Sequence, residues 1–586
     1  MFLLRVAKTR LKYGFSIKWM PKSIIIRPKC DSIHEKWKIT SERDFLRKVI
    51  ENTEGCSIFT PSQALEPNHV QFHSDELIKK LIHLTRKFLL NRFDYRINEK
   101  KMIQCMLPSL HQDCMAQSSN WSIEKNLFVM DIWKTYLDQQ NEQLLFFNES
   151  MNRYLNQIHS LPDPIALQIM YYAACGWKWE SNSYERKIFQ KMHKMMKNNQ
   201  TSFDHMAIYC LALFKNLPAI DSTSFMDSFL KYLMEKDFEN EKSIAVSCVI
   251  KAARKFATRD QIHQIENIQT KLIPYAENCD LISLTHIIQL GQNQRVHSRQ
   301  LVELVLNRFE KNLNRLRLKE VERCLLSIAT FDFESSSRIE ERFCEKALQY
   351  LKGSQDQREE FPDSFISCIS FLAVKGFYDQ KLLQLALEMP DRKQLAYMNT
   401  ETSLSYDLLN IDAFAKINLA NSYCGPVLSN DLVAKLTEKH EHDSYNRKFL
   451  EDLKNIFDKN DHNYMECKPM PHIHGPNLFF VYNKRTNRTV KMDLPIDENR
   501  IMNAVELHQK WPDLKAVALM NCSTIFRSNK YNGFFQMKLN QLKSLGFEVI
   551  VFRKRDWNKN LDLDLKQWYL TLQLYKANIF LFNKNE

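Results

Sequence analysis

Glycine is scarce, with 10 among 586 residues where ordinary usage would give roughly 40. Hairpins and phosphate-cradling loops depend on glycine's conformational freedom, so an all-β sandwich or a glycine-looped nucleotide enzyme is not expected. No apolar run approaches the ~18 residues of a membrane span, and mean hydropathy is −0.42. Paired cysteines are missing as well. The 14 present are scattered, and the closest, Cys105 and Cys114, are too far apart for a CxxC zinc or redox motif. The HxH pairs His440/His442 and His472/His474 have no neighbouring cysteine, and no metal is expected on them. GxGxxG, GK[ST], HRD and DFG are also absent, so phosphoryl transfer lacks the parts that hold phosphate and magnesium.

What the chain has in abundance is Leu, Ile, Lys, Gln, Glu and Met, residues that lose little rotamer freedom in helices. A length of 586 residues allows about two to four domains. The net charge of +13 is unevenly spread. Residues 1–30 carry eight cations and no acid, and residues 475–586 carry 18 Lys and Arg against 10 Asp and Glu, which leaves −3 for the long middle. In the first segment Leu3, Leu4, Ala7, Leu11 and Phe15 share a helical face away from Arg5, Lys8 and Lys12. Such an acid-free amphipathic start predicts a mitochondrial transit peptide over 1–30, with a basic tail for nuclear import or nucleic-acid contact as the alternative. Residues 31–74 follow as a linker. Lone cysteines in apolar helical stretches behave as small hydrophobes and suit a reducing compartment.

A fixed period runs through the middle. Apolar helical stretches centre on Tyr172, Cys210, Cys248, His286 and Cys324, each 38 residues from the last, and on Cys368 after a step of 44. Met192, Leu230, Ile268, Leu306 and Cys344 repeat the same spacing half a unit later. Turn-rich pieces such as GQNQRVHS separate the two phases. Two helices per unit follow, and residues 75–400 are predicted to form an α-solenoid of helical hairpins. Asp163 is expected to cap a helix that has Pro164 in its first turn and stops at Gly176; Ser74 begins another that buries Leu77, Leu81, Leu84 and Phe88. The recurring Cys, His and Tyr positions are expected to fill the core. Ligand contacts belong to polar residues on the exposed face of each unit's first helix.

After a helical segment at 401–460 and a linker at 461–475, the texture changes. LFFVYNKRTNRTVKMDLP reads as a hairpin, followed by a short helix at 501–509, a strand at 515–521, a helix at 537–546, a strand at 547–552 and a closing helix. This predicts a small α/β module over 476–586. Its cations Arg527, Lys530, Lys538, Lys543, Arg553, Lys554 and Arg555 are interleaved with the aromatic Phe534, which offers phosphate neutralisation and a flat face for unpaired bases. These eight are the candidate RNA-binding residues. Phe547 and Trp557 are expected in the core.

KAVALMN, Gly533, Lys538, Leu542, Leu545-Gly546-Phe547, Val549-Ile550-Val551 and Asp556-Trp557 resemble, in that order, the RAP domain, here about 515–573. IDAFAKINLANSYCGPVLSNDL at 411–432 is similar to the segment that precedes it in the FAST kinase domain-containing family. The resemblance covers roughly the last 180 residues. It implies a mitochondrial-matrix RNA-binding protein that regulates the processing, stability or translation of organellar transcripts, with single-stranded RNA and other RNA-processing proteins as partners and no cofactor. The RAP domain is similar in fold to PD-(D/E)xK nucleases, which need two acids and a lysine around a divalent ion. Here Asn521 stands where many members have Asp, and Ile550 rather than Lys lies two residues beyond Glu548, leaving Asp513 and Glu548 without their partners. A non-catalytic protein is therefore expected. A helical protein-interaction scaffold and a metal-dependent endoribonuclease are the alternatives.

Overall fold

The computed structural model describes residues 42–56, 75–90, 109–137, 145–175, 177, 184–197, 202–217, 223–331, 338–389, 402–438, 444–473, 476–497, 500–522, 531–553, 556–557 and 561–582. Contacts divide the chain into a unit Met1–Phe45 and a unit Leu46–Glu586; the second is described below. The transit peptide expected at 1–30, most of the 31–74 linker, Ser74 and Gly176 lie outside the described residues.

Helices dominate, and a small mixed sheet stands near the C-terminus. From Asp163 to Ala413, the short helices Gln355–Glu360 and Gln380–Glu388 aside, the helices alternate between two rows. They are α1 (Asp163–Ala174), α2 (Glu185–Lys197), α3 (Phe203–Asn216), α4 (Thr223–Glu235), α5 (Ser243–Phe256), α6 (Ile262–Asn278), α7 (Leu281–Ile287), α8 (Arg299–Lys311), α9 (Leu318–Thr330), α10 (Ile339–Gly353), α11 (Pro362–Val374) and α12 (Thr402–Ala413). The odd-numbered helices pack each on the next, and α12 closes that row against α11; the even-numbered ones from α2 to α10 form the second row. Sequence period and packing coincide here. Tyr172, Cys210, Cys248, His286, Cys324 and Cys368 lie in α1, α3, α5, α7, α9 and α11, and all are at most 3% exposed. Met192, Leu230, Ile268, Leu306 and Cys344 lie in α2, α4, α6, α8 and α10 and are equally buried. Fully burying a Leu-sized side chain contributes about 1.5–3 kcal/mol, so a position facing a neighbouring helix on each side tolerates little polarity.

Local chemistry starts these helices. The Ser202 and Ser298 hydroxyls accept from the amides of His205 and Leu301, and the Asp280 carboxylate accepts from Ile282 and Ser283. Asp163 differs from expectation. It is the first helical residue, Pro162 takes the cap position, and the Asp163 carboxylate pairs instead with Lys191 at 2.6 Å. For the helix Glu76–Leu90 the cap is Asp75, which accepts from Leu77 and Ile78, and Leu77, Leu81 and Leu84 are buried. Along the odd row, the Lys215 ammonium donates to the carbonyl of Ala174 and Lys255 to that of Phe214. Each cation thus satisfies the negative end of the preceding helix.

The C-terminal module follows α13 (Ser444–Lys459). Its strands are β1 (Met465–Cys467), β2 (Asn477–Asn483), β3 (Arg488–Val490), β4 (Leu514–Cys522) and β5 (Phe547–Arg553) in the order β1-β2-β4-β5, with β3 also on β2. The hairpin is present, with Val481 opposite Val490. β2 and β4 run antiparallel, and β4 and β5 parallel, joined by α14 (Gly533–Ser544); α15 (Leu563–Lys576) closes the other face. The stretch 461–475 is not a free linker. It contributes β1, and Met470, His472 and Ile473 are buried on the α14 side of the sheet, where the His472 ring pairs with the Gln541 side chain at 2.8 Å.

The module meets the helical rows through α14, which packs on α9 and α11. Gly533 makes this approach possible, because a Cβ there would stand 2.2 Å from the Ala329 carbonyl oxygen and 3.1 Å from a Val374 methyl. Alanine would gain up to about 1 kcal/mol of helix propensity, but overpacking against backbone costs typically 1–3 kcal/mol. Gly533→Ala should therefore lower the urea unfolding midpoint; an unchanged or raised midpoint would mean that α14 does not sit this close to α9.

Candidate nucleic-acid interface

Of the eight candidate RNA-binding residues, Arg527, Lys530, Lys554 and Arg555 lie outside the described residues. The other four occupy different surroundings. Lys543 is exposed near the end of α14, and Arg553 is half-buried at the end of β5 beside the Tyr531 hydroxyl. Phe534 is half-buried in the first turn of α14, its ring edge-on to Phe371 of α11 and tilted against Tyr406 of α12. Lys538, one turn further on, is buried with its ammonium 5.1 Å from the centre of the Tyr406 ring. Its charge is thus engaged in a cation–π contact between the module and the helical rows rather than presented to solvent. Phe547 and Trp557 are both 4% exposed and belong to the cores on opposite faces of the sheet.

The nuclease residues do not converge. Asp513 precedes β4 and pairs with Arg485 at 2.6 Å, whereas Asn521 stands near the other end of that strand, opposite Phe552. At about 3.3 Å per residue their backbones are some 25 Å apart. Glu548 is opposite Val517, midway between them, and exposed. Among the described residues, no group of three or more His, Cys, Asp and Glu side chains is placed to hold a metal.

Where α14 meets the odd row, a cleft of about 330 Å³ opens between Gln292, Asn293, Arg295, Leu326, Thr330, Asn532 and Phe534. The turn after α7 supplies the first three. Gly291 (φ 91°) and Arg295 (φ 59°) both take the left-handed backbone conformation, and a Cβ on Gly291 would fall 2.1 Å from the Val296 carbonyl oxygen, so this turn requires glycine. From α9 come Leu326 and Thr330, and from the first turn of α14 come Asn532, whose side chain caps the helix by accepting from Phe535, and Phe534.

A group of cations adjoins the cleft. Arg254 on α5 donates to the Gln289 side chain, its own carbonyl accepts from Asn293 at 2.8 Å, and Arg323 on α9 reaches the Thr285 hydroxyl at 3.4 Å. With Lys251 they surround His286, which is 3% exposed and whose Nδ1 has no hydrogen-bond partner. Burial, reinforced by these three cations, holds the imidazole well below its usual pKa, so it is neutral. Burial likewise brings Arg254 down to about 10, with Arg323 adding to the shift. The adjacent acid, Glu322, hydrogen-bonds to Ser364 at the start of α11.

These residues were not singled out from the sequence, although a signal was there. Asn216, Arg254, Gln292 and Thr330 are spaced by 38 and lie at the end of the odd-row helices or in the turn that follows α7. The repeat phase that marks the core thus also marks a polar column. The molecule is, in class, a mostly helical protein joined to a mixed-sheet module, with a cation-bordered cleft at the joint. No family model matches the chain, and no curated protein matches it.

Proposed function

We propose that this chain is a mitochondrial-matrix RNA-binding protein of the FAST kinase domain-containing kind, an α-solenoid of roughly 38-residue helical hairpins carrying a RAP-like module, which regulates the processing, stability or translation of mitochondrial transcripts without cutting them. The observation that carries this reading is an amide-lined cleft with Arg295 and Phe534 in its wall, next to Arg254 and Arg323, whose charges, with that of Lys251, act on the buried His286. Cations next to an aromatic ring and amide side chains suit unpaired RNA. Crosslinking in intact mitochondria, followed by sequencing of the bound RNA, tests the reading. Enrichment of a defined organellar transcript is expected, and replacing Arg553, Lys554 and Arg555 together by Glu should reduce the yield; no enrichment above an unrelated matrix protein rejects it.

A second reading, a scaffold that grips a protein partner, has one observation in its favour. Leu565, Trp568, Leu572 and Tyr575 follow the 3-4-3 spacing of one helical face of α15, and all four are exposed, Trp568 by 64%. An apolar stripe of this kind on a solvent face marks an interaction surface more often than chance exposure does. A protein bound there is compatible with RNA at the cleft.

A further inference from the structure

We propose that the cleft at the joint seats one unpaired nucleotide of an RNA strand, the base against Phe534 and the amides of Gln292, Asn293 and Asn532, and its phosphate on Arg254 and Arg323. The inference rests on the RNA-binding reading and gives that reading a specific seat.

Three observations point to the same occupant. The first is size: about 330 Å³ is at the small end of ligand sites, which run from roughly 300 to 1,000 Å³, enough for a nucleotide and too little for a folded stem. The second is lining. Aromatic, amide and cationic side chains meet there without a carboxylate. Amides carry both donors and acceptors, the complement of a base edge freed from pairing, and an aromatic ring supplies a stacking face that any base can use.

The third is the charge beside the cleft. Asn293, a residue of the cleft, donates from its side chain to the main-chain carbonyl of Arg254, which sets the backbone of that residue beside the cleft. Arg323 lies three and seven residues before the cleft residues Leu326 and Thr330 on α9, hence on the same face. Gln292 of the cleft bonds Thr330 at 3.4 Å across the two helical units. Between the cations, the buried His286 keeps an unpartnered Nδ1, and the charges acting on it and on Arg254 are positive. Like charges gathered around a desolvated ring repel one another, and a phosphate would relieve that repulsion while bridging the two guanidinium groups. The α14 helix also points its N-terminus, with its partial positive charge, at this cleft.

The test uses the full chain and a short fluorescent oligouridylate, with binding followed by anisotropy across a salt series. The unmodified protein should bind. Arg254→Gln with Arg323→Gln should weaken binding tenfold or more and flatten the salt dependence by the slope of about one phosphate contact, near −0.7 for single strands. Phe534→Leu should weaken it roughly tenfold through lost stacking and leave the salt slope unchanged. Thermal melts show whether each variant folds. Arg323→Gln alone and Asn293→Ala, at partly exposed and exposed positions, carry the test if Arg254→Gln does not fold. If the protein binds RNA and every folded variant binds like the parent, the seat is wrong while the RNA reading stands; if the parent does not bind, both fall. Displacement by free uridylate at the same nucleotide concentration would make the ligand a mononucleotide, and equal displacement by polyglutamate would make the site a plain anion exchanger. Either result overturns the proposal.

Discussion

Asp452→Ala should cost roughly 3–5 kcal/mol, among the largest losses expected of any single substitution in the chain. Asp452 on α13 accepts through one carboxylate oxygen from two buried groups, the Trp557 indole at 3.2 Å and the Lys566 ammonium at 2.7 Å. Lys566 on α15 is 3% exposed. Trp557 sits edge-on to Phe449, Phe552 and Tyr569. Removing the carboxylate leaves a buried ammonium without its counter-charge and an indole N–H without its acceptor. Asp452 thus ties α13, the turn after β5 and α15 into one core. The cause can be separated from simple loss of packing, because an apolar replacement of both partners relieves the buried charge. Asp452→Ala with Lys566→Met should recover most of the urea midpoint lost by Asp452→Ala alone. A double variant as unstable as the single one would show that Lys566 is not the source of the penalty.

The case of Lys566 shows where sequence reading reaches and where it stops. The helical rows were legible because packing between successive units imposes apolar residues at a fixed phase, and Tyr172, Cys210, Cys248, His286 and Cys324 display that phase without any knowledge of contacts. The β2–β3 hairpin and the β4-α14-β5 succession were legible for a similar reason, local alternation and periodicity. What failed depended on partners far away in the chain. PMPHIHGP has the composition of a linker, yet His472 is held by Gln541, 69 residues later. Lys538 and Lys566 look like surface cations until Tyr406 and Asp452 are placed against them. At the candidate site, Phe534 was readable as an aromatic interleaved with cations. The cations in and beside its cleft, Arg295, Arg254 and Arg323, were not, because the joint between the helical rows and the module brings them and Phe534 together and no local pattern encodes that joint. Even so, the 38-residue column through Arg254, Gln292 and Thr330 was present in the sequence; it required asking the repeat for polar positions as well as apolar ones.

The same joint should respond to pH through Asp407. This carboxyl on α12 is 4% exposed and accepts from the Ser367 hydroxyl of α11 at 2.6 Å. Burial, with Glu322 adding to it, pushes its pKa up to about 7 against the hydrogen bond that opposes the shift. In the unfolded chain the group titrates near 3.8. Between these two values the native state holds a proton that the unfolded state has released, so stability is greatest below about pH 4 on this account, falls as pH rises, and has lost its full share above about pH 7. The full share is roughly 4 kcal/mol. Asp407→Asn keeps a neutral side chain that can accept from Ser367 and removes the titration. Its thermal midpoint should exceed that of the parent at about pH 8 by more than it does at about pH 5; a gap of the same size at both would show that the carboxyl is not held neutral. The effect extends to the cleft, because Asp407 follows Tyr406 and faces the helix that carries Phe371, the two rings set against Phe534. A charge forced into the α11–α12 seam strains the wall behind the proposed base seat, and Asp407→Asn should consequently hold oligouridylate at least as tightly as the parent at alkaline pH.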